Sequence, residues 1–312
     1  MAAYILRRLW QMIPTIFGVV LLVFFLFKYF GGDPAEILGG LNATPEQIAA
    51  IRQQLGLDQP VWVQLGLYLK SVATFDWGKS WATNEAVSHL FSSRLPATLT
   101  VMLPILVLEV IVALPVAMWV SYRRGSLADR TLMVATTVAL SISFLVYIIV
   151  GQYVFGFQLG WFPVQGWSDS TWTNLTSYVP LPVMLAVFVA LAPYTRLYRT
   201  FFLDELGQDY VRTARAKGMT EGRVMFGHVL RNAMIPILTN VGLALPGVFV
   251  GSFLIEVFFS IPGLGREILL AVNRSDYPVI QAIAVYLAAL TMVINLIVDV
   301  LFKLVDPRVV LK

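Results

Sequence analysis

The sequence predicts an all-α, polytopic membrane protein with six transmembrane helices, and three observations carry that prediction. First, 58% of its 312 residues are hydrophobic and only 13% are charged, which leaves too little polar surface to cover a soluble globule of that length. Second, six segments are apolar over roughly the 20 residues that a helix needs to cross a hydrocarbon core of about 30 Å: 9–30, 97–120, 132–155, 180–194, 234–259 and 280–304. Third, with the N-terminus inside, fifteen of the 22 lysines and arginines fall on inside segments although the longest loop lies outside, as the positive-inside rule requires. The net charge of +4 therefore reflects topology. No basic segment carries the interleaved aromatics that a single-stranded nucleic acid stacks on, and no nucleic-acid partner is expected.

The first span follows Arg7 and Arg8, as a secretory signal would, but its apolar run is too long and no small-residue cleavage site follows. It reads as a retained span with a cytoplasmic N-terminus. Segment 31–96 is too rich in helix signals to be a linker and is expected to form an extracytoplasmic helical cap. Thr44-Pro45-Glu46-Gln47 supplies an N-cap threonine, a proline at the first helical position and a glutamine three residues after the cap, with Gly56 as the stop. Pro60 then opens a second helix whose apolar face is Val61, Trp62, Leu65 and Leu69.

Span two carries Glu109 near mid-membrane. A carboxylate there is costly and ordinarily faces a cavity, a partner helix or a pathway; a neutral, hydrogen-bonded structural role is the other reading. Asn240, Tyr286 and Asn295 are further polar candidates for a lumen or for bonds between helices. Asp299, one turn from Lys303, reads as half of an interfacial salt bridge. Gly247 and Gly251, beside Pro246, form a small-xxx-small pair that lets helices approach closely and kinks span five.

The sharpest feature is the basic segment 197–233 between spans four and five. Asp209 to Lys217 forms a short helix that ends at Gly218, the residue type that best takes the left-handed conformation. Thr220 caps a second helix over 221–233, with Val224, Met225, Val229 and Leu230 as a partial apolar stripe, and Pro236 lies just inside the next span. The product is an exposed elbow with Met219 at its tip. Its arginines serve either topology or contact with something soluble. Between spans five and six, Pro262-Gly263-Leu264-Gly265 makes a tight turn into a helix through Val272, and Asp276-Tyr277-Pro278 restarts the chain.

Several chemistries are excluded. The absence of cysteine removes disulfides, thiolates and cysteine-held metals, and no metal site is expected. His89 and His228 lie outside the spans without nucleophile or H-E-x-x-H context, which speaks against an intramembrane enzyme. An ion-coupled secondary transporter would show several buried ionisable groups and broken repeats, and only Glu109 fits that. No G-x-x-x-x-G-K-[ST] loop is present, so any ATP must be bound by another polypeptide.

The elbow DYVRTARAKG followed by HVLRNAMIP resembles the coupling loop of ATP-binding-cassette (ABC) importer permeases, in the version of the dipeptide and oligopeptide branch and its first membrane subunit. GGDPAEIL, TPEQIAAIRQQLGLDQPVWVQ, LPATL, YRRGSLADR, IPGLGREIL, SDYPVIQ and NLIVDVLFKLVDPR extend the resemblance over nearly the whole chain. The generic importer motif has Glu-Ala-Ala where this chain has Arg212-Thr213-Ala214, a departure usual in the peptide branch. Less usual are Phe30-Gly31-Gly32 and Glu109.

The resemblance implies a single permease domain over 1–312 with the type I importer fold. It implies no catalytic residue and no cofactor on this chain, with ATP and Mg held by partner subunits. The implied partners are a second homologous permease, two ABC ATPases, an extracytoplasmic solute-binding protein and a peptide substrate, all at a bacterial inner membrane. Nickel, haem, opine or another small solute fits the same family. By resemblance, Arg212, Thr213, Ala214, Arg215, Lys217, Gly218, Met219 and Thr220 couple to the ATPase, and Pro262, Gly263, Gly265 and Asp276 belong to the outer gate. Glu109, Asn240, Tyr286 and Asn295 are the candidates for the translocation path or a subunit interface.

Overall fold

The computed structural model of the chain describes residues 2–40 and 43–305. In chain order its helices are α1 (Ala2–Phe30), α2 (Pro34–Gly39), α3 (Pro45–Gln54), α4 (Val61–Thr74), α5 (Val87–Tyr122), α6 (Leu127–Ser141), α7 (Phe144–Gly151), α8 (Thr171–Thr173), α9 (Pro180–Leu206), α10 (Asp209–Ala216), α11 (Glu221–Val224), α12 (Leu230–Val250), α13 (Phe253–Phe258), α14 (Leu264–Asn273) and α15 (Tyr277–Val305). The described residues pair as β-structure at one place, the isolated bridge between Lys79 and Ala86.

Among the described residues, five helical stretches are long and apolar enough to cross a membrane: Tyr4–Phe30, Val87–Tyr122, Pro180–Leu206, Glu221–Phe258 and Tyr277–Leu301. A sixth arises if the pair Leu127–Ser141 and Phe144–Gln158, bent by 90°, counts as one span. Leu22, Leu103, Ile111 and Val134 are among the large apolar side chains that point outward. A soluble fold would bury them, whereas hydrocarbon solvates them without cost while the helices satisfy their own backbone.

Three features of the spans go beyond the hydropathy pattern. Span three is not straight: α6 stops at Ser141 and Ser143 caps α7 through the N–H of Leu145 at 3.4 Å. Span four is not short, because α9 continues past Tyr194 to Leu206. Span five breaks, α12 ending at Val250 and α13 beginning at Phe253.

The chain divides into two compact units, Met1–Pro96 with Gly263–Lys312, and Ala97–Pro262. In the first, α1 packs along α15, and Val87 and Leu90 at the start of α5 are buried with Ala271, Val279 and Ala282. The loop helices form as expected. The hydroxyl of Thr44 accepts the N–H of Gln47 while the Gln47 side chain accepts the N–H of Thr44, a complete capping box. Pro34 occupies the first turn of α2 behind the Asp33 cap. Burial works against ionisation of Asp33, but the N–H of Ala35 and the Arg52 guanidinium outweigh it and hold that carboxyl below its usual value. On α4, Leu65 is buried but Trp62 is not; the inward face also uses Gln64 and Tyr68.

The second unit has two cores. Val101, Ile148, Leu181 and Ile261 belong to one. Ala113, Ala117, Tyr198, Phe202, Val211, Val224, Val229 and Ile237 belong to the other, which joins the elbow to α5, α9 and α12.

Candidate functional site: the elbow and the polar groups of the spans

The elbow is built on two buried residues of α10, Val211 and Ala214, which seat it against Tyr198 and Phe202 of α9. Gly218 has φ +77°; its N–H bonds the Arg215 carbonyl at 2.9 Å, and the N–H of Met219 bonds the Ala214 carbonyl at 3.3 Å. Those are the two bonds of a Schellman motif, which closes the helix only around a left-handed residue. A Cβ on Gly218 would meet nothing within 4 Å, so the demand for glycine here is conformational. Across the turn, Arg215 grips Glu221 through two bonds of 2.9 and 3.1 Å. Both side chains are about four-tenths exposed, so the pair fixes geometry more than it stabilises.

Arg212, Thr213, Arg215, Lys217 and Thr220 are exposed and form the outer face of the elbow. Two expectations fail in detail. Met219 is not an exposed tip: it is half-buried and packs on the core beneath, as the apolar residue after a Schellman glycine commonly does. Thr220 sits at the N-cap with extended backbone, but its hydroxyl makes no capping bond. The second helix is not separate either. It passes through a π-helical turn, Met225–Val229, directly into α12. An i→i+5 turn places Val224 and Val229, five residues apart, on one face, and both are fully buried. Tyr210 donates to Glu205, and burial together with that carboxylate raises its hydroxyl above the usual pKa.

Behind the elbow, Arg199 of α9 makes two 2.8 Å bonds to Asp129, which also accepts the N–H of Gly125 at 2.9 Å. This bidentate pair ties the loop before α6 to α9. Sequence reasoning treated Arg199 as a topology charge only.

The polar span residues divide between the two units. Glu109 is 6% exposed within the second unit, where Tyr194 and Tyr198 lie within its electrostatic reach. The Tyr198 hydroxyl and Asn240 Oδ1, in the same unit, are buried with no hydrogen-bond partner among the described residues. Tyr286 and Asn295 belong to the other unit: Tyr286 packs on Phe91, ring centroids 4.8 Å apart, and Asn295 lines a cavity of about 130 Å³ with Arg8 and Asp299. Asp299 pairs with Arg8 at 3.2 Å and accepts the Tyr4 hydroxyl at 2.7 Å; the side chain of its expected partner, Lys303, lies outside the described residues.

Of the candidate gate residues, Pro262 closes the second unit, while Gly263, Gly265 and Asp276 belong to the first. Gly263 is the extended N-cap of α14 and Gly265 is buried in its first turn. Asp276 is 3% exposed and accepts from the Ser80 hydroxyl and from the N–H groups of Trp81 at 3.1 Å and Ala82 at 3.3 Å. It is an anchor that holds residues 80–82 to the start of α15.

One site escaped the sequence reading. At the break of span five, Glu256 is 1% exposed and accepts the Thr98 hydroxyl at 2.9 Å. Gly251 lies against both: its Cβ would stand 2.3 Å from Glu256 Oε1 and 2.9 Å from Thr98 Cγ2. Within the chain Gly251 is therefore a backbone break and a close approach, while a Cβ on Gly247 would meet nothing within 4 Å. The signal available was the Gly-Ser pair followed by an acidic residue inside an apolar run.

Apolar spans, an elbow rooted in their packing and a folded extramembrane loop define the membrane-embedded subunit of a transporter. Residues 113–311 match the family of binding-protein-dependent transport system inner membrane components, and residues 1–102 match the N-terminal component of the same systems; the chain belongs to this family. It is a multi-pass permease subunit of an ABC importer with the type I fold. It is 33% identical to the dipeptide transport system permease DppB of Alkalihalophilus pseudofirmus, 36% to a putative peptide transport system permease of Brucella abortus and 37% to the glutathione transport system permease GsiC of Salmonella choleraesuis, in each case over 99% of both chains.

Proposed function

We propose that this chain is the first membrane subunit of an ATP-driven importer of short peptides. It pairs with a second homologous permease. Two separate ATPase subunits bind ATP and Mg, and an extracytoplasmic solute-binding protein delivers the cargo to the side bearing loop 31–96. The termini and the elbow 197–233 lie in the cytoplasm. The observation that carries this reading is the construction of the elbow: a glycine-locked turn presents Arg212, Thr213, Arg215 and Lys217 outward, while its underside shares one core with α5, α9 and α12. A force applied to that face is delivered to three spans through close-packed side chains, which deform little. The peptide substrate is supported by relatives that are named for dipeptide, peptide and glutathione transport.

Co-expression with the ATPase and binding-protein genes that accompany this chain tests the assembly. The ATPase subunits are expected to co-purify with it in detergent, and delivery of nickel or haem instead of a dipeptide would reassign the cargo. For Glu109 we expect Glu109→Leu to melt no lower than the native protein, because an ionisable side chain buried within a span is costly to keep there. We expect the same variant to slow transport. Full transport together with a lowered melting temperature would make Glu109 a structural residue only.

A further inference from the structure

The turn from α5 into α6 carries three arginines beside an apolar face. Ile111, Pro115, Trp119 and Tyr122 of α5 are all exposed, and their three- and four-residue spacing puts them on one side of the helix. Along that side the chain passes from an aliphatic residue to the aromatics that gather where hydrocarbon meets headgroups. A charge follows at once: the Arg123 guanidinium lies 4.8 Å from the centre of the Trp119 ring. Gly125, at φ +80°, then reverses the chain, with the Ser126 N–H bonded to the Arg123 carbonyl at 3.0 Å. Beyond the turn Leu127 is 78% exposed, and Arg124 and Arg130 are exposed on either side of it. Among the described residues none of the three arginines has a carboxylate within the 4.0 Å of an ion pair. Asp129 is the one acidic residue of this stretch. Arg124 lies within its electrostatic reach, but its oxygens are taken by two 2.8 Å bonds from Arg199 and by the N–H of Gly125.

We infer that this turn is a docking surface for anionic phospholipid, with the headgroup phosphate held by Arg123, Arg124 and Arg130 and the acyl chains against Trp119 and Leu127. The positive-inside bias accounts for the side on which the arginines lie, but not for the large apolar side chains left exposed beside them. A soluble polyanion or an acidic protein surface would answer the charges and leave Trp119 and Leu127 in water. A lipid answers both, because its phosphate and its hydrocarbon meet at the level where Trp119 adjoins Arg123. Basic side chains clustered at the end of a span favour lipids of net negative charge, whereas a zwitterionic headgroup sets an ammonium beside its phosphate and offsets the attraction. Guanidinium is suited to the contact, since its planar fork pairs with two phosphate oxygens at once. The inference rests on the membrane fold alone and not on the cargo or the ATPase.

The test is fluorescence quenching of the full chain in phosphatidylcholine nanodiscs doped with phosphatidylglycerol or phosphatidylcholine brominated on the acyl chains. The chain has eight tryptophans, so the share of Trp119 is read as the difference between the native protein and Trp119→Phe. Brominated phosphatidylglycerol is expected to reach half of its maximal quenching at a mole fraction at least about fivefold lower than brominated phosphatidylcholine, and the preference is expected to shrink as salt is added. Replacing Arg123, Arg124 and Arg130 together by glutamine should make the two lipids equivalent. Replacing all three by lysine should keep most of the preference, since the charge remains. Neither set touches the Arg199–Asp129 pair that fixes the turn. Equal quenching by the two lipids in the native protein, or a preference that survives the glutamine variant, would overturn the inference. If the glutamine variant does not fold, the salt series on the native protein decides, and a preference indifferent to salt overturns it. The titration is repeated after co-expression with the permease gene that accompanies this chain. Loss of quenching by both lipids there would show that protein covers this face, and would overturn the inference as well.

Discussion

Gly251→Val is expected to leave the chain largely unfolded in mild detergent, with a loss of about 2–6 kcal/mol. Two costs add. The backbone of Gly251, at φ +78° and ψ −177°, occupies a region open essentially to glycine alone, where another residue costs roughly 1–3 kcal/mol. The new Cβ would also stand 2.3 Å from Glu256 Oε1, and Glu256 cannot retreat, being fully buried and bonded to Thr98. Overpacking of that kind adds roughly 1–3 kcal/mol. Gly247→Ala, one turn away in α12 with open space around it, is the control and is expected to be neutral or to stabilise by up to about 1 kcal/mol. Thermal unfolding of the two variants decides the matter, and similar melting temperatures would show that the break in span five is not held by this contact.

Asp276→Ala is expected to cost about 3 kcal/mol, again read from thermal unfolding. The carboxylate satisfies three donors from residues 80–82 in a site almost closed to solvent. Truncation strands the N–H groups of Trp81 and Ala82, and an abandoned buried donor costs roughly 1–3 kcal/mol. Asp276→Asn keeps one acceptor oxygen and is expected to lose about half as much. Protease cleavage near Trp81 should rise in the alanine variant. If Asp276→Ala instead melts normally and only transport changes, the residue acts in gating and not as an anchor.

The parts of this molecule legible in the sequence are those that local chemistry dictates. Thr44 and Gln47 announce a capping box within four residues, and Gly218 announces the end of α10, because each motif contains its own partners. The apolar runs gave the spans, since lipid imposes a length on any helix that crosses it. Hydropathy failed wherever structure departs from it. The bend at residues 141–143 lies inside an uninterrupted apolar stretch, and only Ser143 hinted at a new helix start. The apolar run of span four ends at Tyr194, ahead of Arg196 and Arg199, yet α9 continues there with Arg199 paired to Asp129, a partner 70 residues away in the chain. Glu256 and Asp276 were illegible for the same reason: their partners, Thr98 and residues 80–82, are distant in sequence, and spacing records no such pairing. Burial of Glu109 beside Tyr194 and Tyr198 likewise depends on how α5 meets α9, which no local pattern specifies.

The central claim, that the elbow couples ATP hydrolysis to transport through these spans, is tested most directly by Gly218→Val in proteoliposomes holding the complete transporter and its binding protein. The substitution forces a β-branched residue into the left-handed turn at a cost of roughly 1–2 kcal/mol, at a position where a Cβ would meet nothing within 4 Å. The account predicts that the variant inserts and assembles normally, while ATP-dependent uptake of a labelled dipeptide and its stimulation of ATP hydrolysis both fall at least tenfold. Uptake at the native rate, or uptake in either protein that proceeds without ATP and follows an ion gradient, would contradict it.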